Sequence, residues 1–387
     1  MNVVFASNYL NVHQHPFCDA MLESLGSGNF TFIAGMPFNQ LRLSSGYTDM
    51  NQESFVIRAY EDEDSAVSAA LNADVLIGIP YSRPNLIDMR LEKTGGLTFA
   101  YSERLLKRGL WFRHVPRKRR RVQEAFCRYA EHEGFQVLCA SAFTSFDLSL
   151  FGFPQDRCWK WGYFPQVPRG RCLDASHNGR TAIVWVGRMI EYKRPFLALR
   201  LARMLVKQGY DFHLTMVGEG DLRASMEDYI RRNDLGCHVT MTGALPNADV
   251  HRIMSESDVF LFTSNREEGW GAVLNEAMAN GCVPVASSLI GSVPYLLDGF
   301  EDVCVFADGN TSDMCGCVTR LLEDRDLLSS YKTRVRWRME ALWNPENAVK
   351  TFIELSQALL DGRAPTIDGG PCSDAGIVKE TWLRGLR

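Results

Sequence analysis

The sequence predicts an α/β protein of two domains, each built on a parallel sheet, and three observations carry that prediction. The chain has 387 residues, which at about 150 residues per domain makes two domains or three. From about residue 180, short apolar runs alternate with stretches of helical period. Those runs are apolar throughout, the mark of parallel strands covered on both faces. Composition is ordinary for a globular chain, at 46% hydrophobic, 23% charged and 11% aromatic, which excludes disordered, collagenous and coiled-coil classes. Lys and Arg number 42 against 46 for Asp and Glu, so the net charge of -4 gives no support to nucleic acid as a partner.

Strands are expected over residues 3–6, 31–34, 55–59, 75–79, 97–100 and 136–139, with helical patterns between several of them. The opening MNVVFASNYL has no Lys or Arg before its apolar run and reads as the first strand, not a signal peptide. Residues 152–179, rich in Gly, Pro, Trp and Arg, read as the connection between domains. Beyond it, a strand over 182–186 precedes a helix opened by Pro195, with Phe196, Leu199, Leu205 and Val206 on it and Gly209 placed to close it. A strand over 214–217 follows, then Asp221 as the expected N-cap of a helix carrying Leu222, Met226, Tyr229 and Ile230 on one face. Strands over 239–242, 259–262 and 283–286 alternate with helices near 248–256 and 271–280, and a last helix spans 345–360. The last 25 residues are expected to be loosely ordered. The division is therefore 1–165, 166–345, and a terminal helix and tail over 346–387, the helix packing back on the first domain.

Eleven cysteines are scattered without a Cys-x-x-Cys pair, and the close pair Cys315 and Cys317 lacks neighbours to complete a zinc site. They read as reduced thiols acting as small core residues in a cytoplasmic protein. No stretch approaches the roughly eighteen apolar residues of a membrane span.

The densest chemical signal is EEGWGAVLNEAMANG over 267–281, where seven residues separate Glu268 from Glu276. Glu268 is placed in the loop at the C-terminal end of a strand, the edge where open α/β sheets bind ligands. Gly269 and Gly271 allow close backbone approach, and the following helix N-terminus offers N–H groups to a phosphate. Glu276, inside that helix, suits the vicinal diol of a ribose. The alternative is a helix start whose acidic residues are simply favoured by the macrodipole. A second signal, VGRMIEYKRP over 186–195, puts Arg188 and Lys193 in a loop on the same sheet edge, where a planar fork and a point charge suit a pyrophosphate. Arg194 could substitute for Lys193, and a solvated loop is the alternative. A third, VGEGDLR over 217–223, is an incomplete dinucleotide-type turn.

In this order and spacing the three segments resemble the C-terminal domain of retaining glycosyltransferases of the GT-B fold, the group 1 class (glycosyltransferase family 4). The resemblance runs from about residue 180 to 300, with a tail through Trp343-Asn344-Pro345. It implies two Rossmann-like domains whose parallel sheets face a central cleft. It implies that Arg188 and Lys193 hold the donor diphosphate, that Glu276 holds the ribose, and that Glu268 contacts the transferred sugar. Catalytic roles then fall to Glu268, Arg188 and Lys193, and donor binding to Glu276, Gly269, Trp270, Gly271, Ala272, Gly218 and Gly243. No metal or cofactor is implied.

The N-terminal half departs from the family. Asn8-Tyr9-Leu10-Asn11 stands where many members carry a Gly-Gly pair, and Tyr101-Ser102-Glu103 where many carry a His. His13, His15 and Glu103 are candidates for the acceptor side, with capping or packing as the alternative. Glu61-Asp62-Glu63-Asp64 contains an Asp-x-Asp, but at the start of a helical pattern, where a dipole-favoured cap is the preferred reading. A basic run over 104–121, with Trp111 and Phe112 and no acidic residue after Glu103, reads as a solvated helix face or as a surface for anionic membrane through residues 107–121.

The expected activity is a retaining, metal-independent transfer of a sugar from a nucleotide-diphosphate sugar to a glycan or lipid-linked acceptor, at the inner face of a membrane. The rival enzyme is a sugar-nucleotide epimerase of the same architecture, which needs no acceptor. A catalytically silent transferase-like subunit is the non-enzymatic rival.

Overall fold

The computed structural model describes residues 1–38, 48–82, 84–166 and 180–385. The chain forms two compact units: Met1–Gln166 with Leu342–Val378, and Val167–Ala341 with Lys379–Arg387. Of the connection read over 152–179, the part from 167 lies outside the described residues.

The first unit holds seven strands: β1 (Val3–Ser7), β2 (Phe30–Ala34), β3 (Val56–Arg58), β4 (Val75–Gly78), β5 (Thr98–Ser102), β6 (Phe135–Cys139) and β7 (Cys158–Lys160). Their order is β3-β2-β1-β4-β5-β6-β7, every neighbouring pair parallel. Every residue of β4 and β6 is buried, which is why their sequences do not alternate. Helix Pro345–Leu360 belongs to this unit and packs on helix His15–Leu25, with Phe352 edge-on to Phe17 at 6.5 Å. Its start is fixed by Asn344, whose side chain accepts from the Asn347 N–H at 2.7 Å.

The three-residue β7 is too short to give a sequence signal, and it explains where the tail goes. Ser373 O accepts from Lys160 N at 2.8 Å, Cys372 N donates to Lys160 O at 2.7 Å, and Ala375 N donates to Cys158 O at 2.9 Å. Residues 372–375 thus cover the sheet's edge. The expectation of a loosely ordered tail is corrected here, because Cys372 and Ala375 are 0% and 2% exposed. A segment without periodicity is held by main-chain pairing, which no side-chain pattern reports.

The second unit holds β8 (Thr181–Val186), β9 (Phe212–Val217), β10 (Val239–Gly243), β11 (Val259–Phe262), β12 (Val283–Ser287) and β13 (Val305–Phe306), in the order β10-β9-β8-β11-β12-β13, all parallel. Pro284 lies inside β12 without breaking the ladder. Val283 N donates to Asp258 O on the β11 side, so residue 284 faces the other way, where β13 pairs only from Ala286 onward. The Asp221 expectation is corrected: the helix is Arg223–Arg232, its cap position is Leu222, and no side chain caps it. Leu222 N instead donates to Met189 O at 3.0 Å, tying that turn to the loop after β8. The helix read near 271–280 is the shorter Val273–Ala279, since Gly271 takes φ 88°, a left-handed conformation. Helices Thr311–Glu323 and Arg325–Ala341 complete the unit. Ten cysteines are described, and most of them are buried.

Candidate active site

In the second unit the strand order reverses between β8 and β11, and ligands of open parallel sheets bind at such a switch point, outside the C-terminal strand ends. The loop after β8 carries Arg188 and Lys193; the loop after β11 carries Glu268. Two hydrogen bonds stitch the two loops, Thr263 Oγ1 to Lys193 O at 2.7 Å and Asn265 N to Tyr192 O at 2.8 Å, and Trp185 Nε1 of β8 donates to Thr263 Oγ1 at 2.9 Å. That framework brings Lys193 and Glu268 into an ion pair, their side chains 14% and 11% exposed. Ser264 Oγ donates to the same Glu268 oxygen at 2.9 Å. Arg188 is exposed beside the pair and donates to the Tyr192 hydroxyl at 3.2 Å. It makes no ion pair among the described residues, so its charge stands ready for an anion.

Arg194 is not interchangeable with Lys193. It occupies the left-handed region at φ 49°, ψ 50° immediately before Pro195, and its guanidinium donates to Asp308 at 2.7 Å. That side chain is committed to the end of β13.

Glu276 lies in the first turn of helix Val273–Ala279, and burial pushes its carboxyl up to about 7. The helix has seven residues, so its macrodipole is small. Trp270 is turned inward, 0% exposed, with Nε1 donating to Asn275 at 2.9 Å. Gly269, Gly271 and Ala272 lie with it in the segment between β11 and helix Val273–Ala279. Gly271 is required by packing as well as by φ, since a Cβ there would stand 2.3 Å from the Phe262 ring. Gly218 answers to close backbone approach: at φ 133° a Cβ would lie 2.0 Å from Gly187 O. Its N–H donates to Gly243 O at 2.9 Å, so Gly218 and Gly243 both sit on the strand-end edge of this sheet.

The first unit has its own switch point, between β1 and β4. A cavity of about 410 Å³ opens there at the ends of β1, β4 and β5. Asn8, Tyr9, Asn11, Tyr81, Tyr101 and Glu103 are among its lining residues. Glu103 accepts from Lys107 Nζ at 2.6 Å and from the Tyr163 hydroxyl at 3.1 Å. His13 does not line the cavity; its ring lies 6.2 Å from that of Tyr163. His15 begins helix His15–Leu25, its ring nitrogens 2.9 Å from an Asp19 oxygen and 3.6 Å from a Glu53 oxygen. Sequence reasoning singled out Glu103 but missed Asn8, Tyr9 and Tyr101 as lining groups. The position of Asn8 and Tyr9 just beyond β1, and of Tyr101 near the C-terminal end of β5, was the available signal.

The Asp-x-Asp is a helix cap. Asp62 precedes helix Glu63–Asn72 and accepts from Ser65 N at 3.0 Å, and the Ser65 hydroxyl and N–H together lower its carboxyl. The basic run forms a turn over Leu110–His114 and helix Pro116–Ala125. Trp111 is 62% exposed, and Arg117, Arg119, Arg120 and Arg121 are exposed. Arg121 stacks over the Tyr81 ring at 4.1 Å, and the Tyr81 hydroxyl donates to Arg121 O at 2.6 Å, so this helix adjoins the cavity. Burial and the neighbouring Arg121 and Lys107 cations lower Lys118. Among the described residues no helix is long and apolar enough to cross a membrane.

Residues 175–341 match the family model described as glycosyl transferases group 1. The chain is 28% identical over 205 residues to the amylovoran biosynthesis glycosyltransferase AmsK of Erwinia amylovora, covering 52% of this chain and 50% of that protein. It is 33% identical over 166 residues to the phosphatidyl-myo-inositol mannosyltransferase of Mycolicibacterium smegmatis, covering 42% and 41%. The chain thus spans about half or less of the curated relatives it matches. The crystal structure of HepE from Anabaena in complex with UDP superposes with a TM-score of 0.70 at 12% identity, over 92% of this chain and 100% of that one, a likeness of fold. Two units on parallel sheets, of seven and six strands, have the α/β GT-B architecture.

Proposed function

We propose, from the match of residues 175–341 to the glycosyl transferases group 1 family model, that the chain moves a sugar from a nucleotide-diphosphate sugar to a glycan or lipid-linked acceptor. The observation that carries this reading is the Lys193–Glu268 pair at the switch point of the second sheet, with Arg188 exposed beside it. Breaking a sugar–phosphate bond builds negative charge on the leaving diphosphate and positive character on the sugar ring. Arg188 and Lys193 answer the first and Glu268 the second, which is stabilisation of charge that develops only in the transition state. Glu276 is assigned to the ribose hydroxyls.

The proposed reaction retains the anomeric configuration and uses no metal. Protein cations face the diphosphate, and the leaving phosphate takes the acceptor's proton as the acceptor attacks from the same face. The acceptor is assigned to the cavity of the first unit, whose Tyr, Asn and Glu lining suits a hydroxyl-rich molecule. A built cavity of that kind favours transfer over the donor-only epimerase. The adjoining basic helix, with Trp111, is assigned to an anionic membrane surface on the cytoplasmic side.

A thermal-shift screen with uridine, guanosine and adenosine diphosphate sugars tests the reading. UDP-glucose heads the screen, since HepE of Anabaena has been crystallised with UDP-glucose. A bound donor stabilises by about 2.7 kcal/mol at 100 times its dissociation constant. No shift with any donor, under conditions where the protein melts cooperatively, contradicts the proposal.

A further inference from the structure

Arg188 and Lys193, the two cations assigned to the diphosphate, lie in one loop, and the side chain of Tyr192 meets both. Arg188 Nη2 donates to its hydroxyl at 3.2 Å. The Lys193 ammonium stands 5.4 Å from the centre of its ring, within cation–π reach. The backbone beneath them is already fixed. Met189 N donates to Glu219 O at 2.7 Å, just beyond β9, and Lys193 N donates to Ile190 O at 3.1 Å, closing the turn Glu191–Lys193. The Tyr192 carbonyl accepts from Asn265 N at 2.8 Å, in the loop that carries Glu268. What remains to be ordered at this sheet edge is side chains. Glu268 holds Lys193, whereas among the described residues Arg188 has the Tyr192 hydroxyl and no carboxylate.

We infer that Tyr192 is a positioning residue for both cations: its hydroxyl orients the Arg188 guanidinium, and its ring backs the Lys193 ammonium. The inference rests on the assignment of Arg188 and Lys193 to the donor diphosphate. An exposed arginine spreads over many rotamers, and an anion that binds it must hold it still, which weakens binding several-fold. A hydroxyl that accepts one N–H removes part of that loss beforehand and leaves the other donors of the fork to the diphosphate. A neutral acceptor suits this task, since a carboxylate in its place would compete with the phosphate oxygens for the same guanidinium. On its other side the π face attracts the ammonium without neutralising it. One side chain thus steadies two cations, and both keep their charge for the ligand.

Two double-mutant cycles on the full chain test it, read as dissociation constants by calorimetric titration. UDP, GDP and ADP are titrated into the wild type, and the tightest of them is the probe for every variant. Tyr192→Phe keeps the ring and loses the hydroxyl, and should weaken the probe about fivefold. In an Arg188→Ala background the same change should cost less than about twofold, because the group it acts through is gone. Tyr192→Leu loses the ring as well, and should weaken the probe about threefold beyond Tyr192→Phe. In a Lys193→Met background that further step should vanish. A general loosening of the loop would weaken the probe equally in every background. Equal losses with and without Arg188, or a ring effect that survives Lys193→Met, overturn the inference and leave the donor reading standing. If the wild type binds none of the three nucleotides, the donor reading fails, and the inference with it.

Discussion

Lys193 and Glu268 are 75 residues apart in sequence and lie in the loops that follow the two strands flanking the switch point of the second sheet, yet their side chains form an ion pair. Both are mostly removed from water. Breaking such a pair by removing one partner costs more than replacing both, because one charge is left buried and alone. Lys193→Met is therefore expected to destabilise the donor-free protein by about 1–2 kcal/mol more than Lys193→Met/Glu268→Gln does. Urea denaturation of the two variants checks this, and equal midpoints would mean that the pair is loosely solvated.

Glu276 gives a pH dependence with a definite sign. Its folded carboxyl titrates near 7, above the ordinary value of 4.5, because burial disfavours the charge. The folded state therefore holds a proton that the unfolded state has lost. The stability from that proton is full below pH 4.5 and is lost as pH rises towards 7. Donor binding runs the other way, since a carboxylate accepts both hydrogen bonds of a diol. Between pH 6 and 8 donor affinity should rise by about tenfold as the ionised fraction grows. Calorimetric titration across that range measures it, and in Glu276→Gln the slope should vanish.

Arg90 is 2% exposed and spends its guanidinium on carbonyls. It donates to Ala70 O at 2.7 Å, Leu71 O at 3.1 Å and Asp74 O at 3.0 Å, closing the end of helix Glu63–Asn72 against the start of β4. Arg90→Met strands those acceptors and is expected to cost about 2–4 kcal/mol. Arg90→Lys should recover only part, since a point charge cannot reach three carbonyls in a fork. Chemical denaturation ranks the three proteins.

If the helix Pro116–Ala125 meets anionic lipid, flotation with acidic vesicles should weaken sharply as salt rises through about 0.15 M. Neutralising Arg117, Arg119, Arg120 and Arg121 together should abolish it while donor binding is kept. Trp111→Ala should weaken it less. Equal binding to neutral and acidic vesicles contradicts the membrane assignment.

Much of this was legible in the sequence, and the reasons differ by element. β8, β11 and β12 announce themselves because a strand buried on both faces must be apolar at every position. Glu268 was placed correctly in a strand-end loop because its segment begins two residues after VFLFTS. Its pairing with Lys193 was not legible, since nothing local encodes which loops a parallel sheet brings together. Asp221 failed as a cap because its turn is held by Leu222 N on Met189 O, a contact 33 positions distant. The covered edge of β7 was invisible for the same reason. Trp270 and Gly218 were legible as special residues, but packing accounts for what the structure asks of them.

The account stands most directly on the division of labour between the two glutamates. Steady-state kinetics of Glu268→Gln, Arg188→Ala and Glu276→Gln, on protein shown to be folded by circular dichroism, measures it. Glu276 is assigned to a ribose that does not change in the reaction, so Glu276→Gln should raise KM and largely spare kcat. Glu268 and Arg188 face groups whose charge changes, and losing roughly 3 kcal/mol of such stabilisation slows turnover about a hundredfold. If Glu276→Gln mainly lowers kcat while Glu268→Gln mainly raises KM, the two assignments are reversed; if neither variant differs from wild type, the pair does not form a donor site.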